Sequence, residues 1–109
     1  MLTDTNIVKA YFKNKNLQEL YTTQKSKKYK LDLHVVRKFI EVITSILAAK
    51  DIYDLWNEPS LKYEKLKGDK NRYSFRIDRK YRLEVEVDWE NEEKTIGIIG
   101  IDEISNHYG

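Results

Sequence analysis

Cysteine is absent from this 109-residue chain, which excludes a disulfide framework and a thiolate metal site. Histidine is scarce: His34 and His107 are too few for an imidazole metal site, so neither a metal nor another cofactor is expected. With one proline and four glycines, the chain shows no low-complexity linker or repeat to divide it. No apolar run approaches the ~20 residues needed to span a bilayer, so no membrane partner is expected. The opening M-L-T-D-T-N lacks the basic start and apolar centre of a signal peptide, which makes the cytoplasm the expected compartment. Glycine-rich phosphate loops and the H-E-x-x-H zinc pattern are missing too. A Ser/His/Asp hydrolase would have to use Ser74 or Ser105, with no nucleophile elbow around either.

What the chain does have is charge and aromatic weight. Eight tyrosines and two tryptophans argue against disorder, and the length fits one domain over residues 1–109. Net charge is only +2, but it is unevenly spread. Residues 1–82 carry 19 basic and 10 acidic side chains, and residues 83–109 carry one basic and eight acidic. Such asymmetry either creates a positive field able to attract a polyanion or vanishes when acidic strands pair with basic ones. Four of the five arginines, Arg72, Arg76, Arg79 and Arg82, lie within eleven residues. Arginine suits phosphate because its planar fork donates paired hydrogen bonds and stays charged at any working pH.

Residues 7–12 read as a short first strand. Asn16 with Glu19 three residues later resembles a capping box for a short helix through Leu17, Leu20 and Tyr21. The K-S-K-K-Y-K stretch at 25–30 reads as a polar connector. From Asp32 to about Lys50, Val36, Phe39, Ile40, Ile43, Ile46 and Leu47 make an apolar stripe at helical spacing, with Arg37, Lys38 and Glu41 outward. His34 falls in the first turn, facing solvent. A short helix follows at 51–58, ended by Pro59, with Tyr53, Leu55 and Trp56 closing the core edge. From Leu61 the period becomes 2. Strands are expected at 62–66, 72–78, 81–90 and 95–104, the last apolar enough to be central in the sheet. The order predicts an α+β fold: a short strand, two helices, then an antiparallel β-meander forming a twisted sheet with helices on one face.

Within the arginine-bearing hairpin, Tyr73, Phe75, Ile77, Tyr81, Leu83, Val85 and Val87 share the core face. Arg72, Ser74, Arg76, Arg82, Glu84, Glu86 and Asp88 share the other. A three-residue loop at 78–80 sets Arg72 opposite Glu86, Ser74 opposite Glu84 and Arg76 opposite Arg82. Like charges so placed cost up to ~1 kcal/mol and favour an anion between them. A register shifted by two residues would instead neutralise every charge, setting Arg76 against Glu84. At the end of the last strand His107 and Tyr108 stand side by side, two groups able to move protons if the strand delivers them beside the arginines.

The run Y-E-K-L-K-G-D-K-N-R-Y-S-F-R-I-D-R-K-Y-R-L-E-V, followed by a mostly apolar strand and E-I-S-N-H-Y, resembles the RelE/ParE toxin superfamily of bacterial toxin–antitoxin systems, and within it the HigB-like branch. The resemblance covers nearly the whole chain, most specifically residues 62–108. It implies a RelE-like fold and a metal-independent endoribonuclease, an mRNA interferase that cuts transcripts in the ribosomal A site. The ribose 2′-hydroxyl would attack the adjacent phosphate and translation would stop. By motif, Arg82 matches the phosphate-stabilising arginine, Arg76 a basic position on the preceding strand, and Tyr108 a tyrosine for proton transfer or stacking. His107 is a candidate general acid or base. Lys65 and Lys67 would contact mRNA or ribosomal RNA, with Lys70, Arg72 and Arg79 as further RNA-binding candidates. Many HigB-like members carry a histidine two or three residues before L-K-G, where this chain has Glu64: either Glu64 takes over as general base, or His107 carries that duty alone, or the site is weakened. The implied partners are mRNA, the ribosome and a HigA-like antitoxin with a helix-turn-helix domain. Two alternatives remain: a non-catalytic ParE-like toxin that inhibits DNA gyrase, and a plain RNA-binding module stacking bases on Tyr73, Tyr81 and Trp89.

Overall fold

A computed structural model describes residues 9–68 and 71–106 of the chain. Strand β1 (Lys9–Phe12) leads into helix α1 (Lys15–Thr23). The helix is capped by Asn14 rather than Asn16: the Asn14 side chain accepts from the Asn16 amide at 2.9 Å. Its amide group also donates to the Asp102 carbonyl and the Tyr29 hydroxyl, so tertiary bonds decide which asparagine caps.

Helix α2 (Leu33–Ala48) buries Val35, Val36, Phe39, Val42, Ile43 and Ile46. The buried face is rotated from the expected stripe, leaving Ile40 half-buried and Leu47 exposed. His34 is exposed, as expected. The short helix α3 (Ile52–Trp56) is capped by the Asp51 carboxylate. Of its three expected core residues only Leu55 is buried; Tyr53 and Trp56 are half-exposed. Pro59 opens a 3₁₀ turn, Pro59–Leu61, whose missing N–H costs nothing at a first helical position. Lys62 then takes a left-handed conformation with φ 45°.

Strands β2 (Glu64–Lys65), β3 (Arg72–Arg76), β4 (Tyr81–Trp89) and β5 (Gly97–Asn106) complete a five-stranded mixed sheet of order β1-β5-β4-β3-β2. The expected antiparallel meander holds for β2 to β5, while β1 adds to β5 in parallel. Strand β5 is central, as its apolar run predicts, with β1 and β4 on its two sides. The three helices and the sheet share one core, in which Phe39, Ile43, Leu55, Phe75, Leu83, Val85, Ile99 and Ile101 are almost wholly buried.

The β3–β4 register is the unshifted one: Arg72 opposite Glu86, Ser74 opposite Glu84, Arg76 opposite Arg82. Asp78 fixes the turn, its carboxylate accepting from the amides of Lys80 and Tyr81 at 2.9 and 2.8 Å. Between β4 and β5 the register slips: Glu84 pairs with Glu103 but Val85 with Ile101, leaving Asp102 as the extra residue of a bulge.

Candidate functional site

The polar face of the sheet divides into a neutralised end and an under-neutralised one. At the first, the bulge presents Asp102 to Arg72, whose guanidinium bonds Asp102 at 2.8 Å and Glu84 at 3.1 Å. Arg72 therefore takes the diagonal Glu84 rather than Glu86, which stands directly opposite. Glu86 binds Lys13 at 2.7 Å, and this bond raises the lysine pKa above its ordinary value. Gly100 makes room for that lysine, since a Cβ there would sit 2.7 Å from the Lys13 Cδ. Here the acidic strands do cancel basic residues.

The other end holds Glu64, Arg76 and Arg82. Arg82 does not stand free beside Arg76 awaiting an anion. Its side chain is only 11% exposed, and Nε donates to the Ser74 hydroxyl at 2.7 Å. Nη2 donates to the Lys62 carbonyl at 2.6 Å and lies 3.5 Å from the Glu64 carboxylate. The left-handed turn at Lys62 aims that carbonyl, and Ser74, opposite Glu64 on β2, is completely buried. These contacts immobilise the fork, while Nη1 has no hydrogen-bond partner among the described residues. Burial lowers the Arg82 pKa, Glu64 opposes that shift, and Arg76 lowers it further. A guanidinium so placed gains from an additional anion, whose charge offsets both its desolvation and its like-charged neighbour.

Arg76 is half-buried, with no ion pair to another described residue. Lys65, Lys67 and Arg79 are exposed, and Lys65 shares β2 with Glu64. Lys70, His107 and Tyr108 lie outside the described residues. Strand β5 runs toward this same end of the sheet, with Ser105 opposite Arg82 and Asn106 opposite Tyr81. Ser74 and the Lys62 carbonyl, which orient Arg82, are the parts that the sequence did not announce. Ser74 was visible as a small polar residue amid charges on the polar face and as a hydrolase nucleophile without an elbow, not as a support for Arg82.

The aromatics expected of a base-stacking module are engaged elsewhere. Tyr73 is buried and stacked on Tyr63 at 5.2 Å, with the Trp89 ring edge-on to it. Tyr81 and Trp89 pack against the core. Among the described residues no group of three or more acidic or histidine side chains could hold a metal ion, and no helix is long and apolar enough to cross a membrane. No protein-family model matches the chain, and no curated protein does either.

Proposed function

We propose that this protein is a metal-independent endoribonuclease of the RelE/ParE kind, HigB-like in branch, acting as the toxin of a type II toxin–antitoxin pair. One observation carries the proposal: Glu64, Arg76 and Arg82, from three different strands, meet at one end of the sheet. The strand that leads to His107 and Tyr108 runs to that same end. The resemblance implies a short strand, two helices and an antiparallel meander; the α+β fold observed has three helices and a meander over β2 to β5.

In the reaction, the ribose 2′-oxygen attacks the adjacent phosphorus and the P–O5′ bond breaks, giving a 2′,3′-cyclic phosphate and a 5′-hydroxyl. Arg82, through the Nη1 that bonds no other described residue, and Arg76 hold the non-bridging oxygens as charge builds on them. One preorganised donor of this kind contributes roughly a hundred- to a thousand-fold in rate. The half-exposed Glu64 carboxylate accepts the 2′-hydroxyl proton. His107 or Tyr108 supplies the proton to the leaving 5′-oxygen. Lys65, Lys67 and Lys70 steer the mRNA by phosphate contacts. The ribosome orients the strand, and a helix-turn-helix antitoxin in the same cytoplasm silences the site. The test is an in vitro translation reaction with primer-extension mapping of the transcript. Wild-type protein should produce discrete cuts in ribosome-bound mRNA, and full-length transcript throughout would refute the proposal.

A further inference from the structure

Arg76 belongs to a second cationic feature. It lines a cleft of about 490 Å³ between the first two turns of α2 and the β3–β4 turn, together with His34, Lys38, Ser60, Asp78 and Arg79. A narrower recess of about 100 Å³, bounded by the same Lys38, Ser60 and Arg76, extends it toward Glu41. The larger space falls in the range of ~300–1,000 Å³ typical of small-molecule sites, enough for one nucleotide unit.

Lys38, Arg76 and Arg79 come from a helix, a strand and a turn, yet none makes an ion pair with another described residue. The one carboxylate lining the main cleft, Asp78, is held by two turn amides. Ser60 donates to Glu58 at 3.2 Å. On the polar sheet face Arg72 has two carboxylates and Lys13 one. Three permanent cations gathered without such partners create a local positive potential, which an anion relieves.

We infer that this cleft is a second phosphate subsite, in which Lys38 and Arg79 hold the phosphodiester next to the scissile one in a single RNA strand and Arg76 is shared between the two. The assignment to RNA rests on the cleavage reaction proposed above, because the shared Arg76 makes the two anion positions neighbours along one strand.

The test measures binding of the full-length chain to a fluorescent single-stranded RNA with 2′-O-methyl groups throughout, which removes the nucleophile, across a range of salt concentrations. Lys38→Gln and Arg79→Gln should each weaken binding several-fold and reduce the salt slope by about 0.7, the value for one phosphate contact on a single strand. Lys50→Gln, an exposed lysine outside the cleft, should change neither. An unchanged slope in both cleft variants, an equal loss in Lys50→Gln, or no binding by the wild type overturns the subsite. Cleavage of unmodified transcript by the wild type is scored separately: its absence refutes the catalytic proposal, whereas the binding measurements decide the subsite.

Discussion

Ser74→Ala isolates the positioning of Arg82 from its charge. The Ser74 hydroxyl is wholly buried and accepts from Arg82 Nε at 2.7 Å. Alanine removes that acceptor, adds no bulk, and leaves a charged donor facing a dry pocket. Hydrogen bonds to charged groups contribute about 1.5–3 kcal/mol, and this one is too enclosed for water to replace the lost partner. A chain of this length has an unfolding entropy near 0.23 kcal/mol/K at its melting point, so each kcal/mol moves Tm by about 4 °C. The expected loss is therefore about 6–13 °C by calorimetry. A double-mutant cycle assigns the loss: in an Arg82→Ala background the same substitution should cost less than about 0.5 kcal/mol, because the donor is gone. Cleavage by Ser74→Ala should fall by about tenfold to a hundredfold, as Arg82 keeps its charge but loses its aim. Equal destabilisation in both backgrounds would refute the reasoning, since Ser74 would then act through packing alone.

Arg82→Ala should lower cleavage by roughly a hundred- to a thousand-fold and abolish growth arrest, with far-UV circular dichroism unchanged. Undiminished toxicity would contradict its assigned role. Arg72→Ala strips the half-buried Glu84 and Asp102 of their shared partner and should lower stability by about 1–3 kcal/mol in urea, while a cleavage defect should disappear once the samples are compared below their melting transitions. Tyr63→Phe should raise Tm by about 4 °C or more: the Tyr63 hydroxyl is buried without a hydrogen-bond partner, and the ring keeps its stacking on Tyr73. Burial first, then Tyr73, push the Tyr63 pKa far above its ordinary value of 10, and the Trp56 indole offsets this in part without reaching hydrogen-bonding geometry. Above about pH 10 the unfolded chain thus releases a proton that the folded chain keeps. Stability should fall by about 1.4 kcal/mol per pH unit through this group, and urea titrations at rising pH should show that component missing in Tyr63→Phe.

The hairpin was legible only down to two registers. Alternation fixes which side chains share a face, but a three-residue loop at 78–80 or at 79–81 satisfies it equally; the structure takes the first, with Arg76 opposite Arg82. The centrality of β5 was legible from its apolar run. Contacts made at a distance were hidden. The carbonyl that holds Arg82 belongs to Lys62, twenty residues upstream, and is aimed by a left-handed conformation that lysine does not advertise. The bulge at Asp102 left only a faint trace, the change of spacing from Ile99 and Ile101 to Ile104. It diverted Arg72 from the partner that its register implies. The cleft beside α2 needed the packing angle of helix on sheet, which periodicity does not encode.

The sheet order carries a consequence for synthesis. Strand β5 is the last of the five to leave the ribosome, yet both β1, the first, and β4 pair with it. Until it emerges, β1 has no neighbour to bond and the long hairpin strand β4 keeps one edge open, so contacts spanning most of the chain must close in one late step. The sheet end that carries Arg82 is completed only when Ser105 and Asn106 pair across it. Under the proposed function, a nascent chain lacks its completed site until synthesis has run past the last strand.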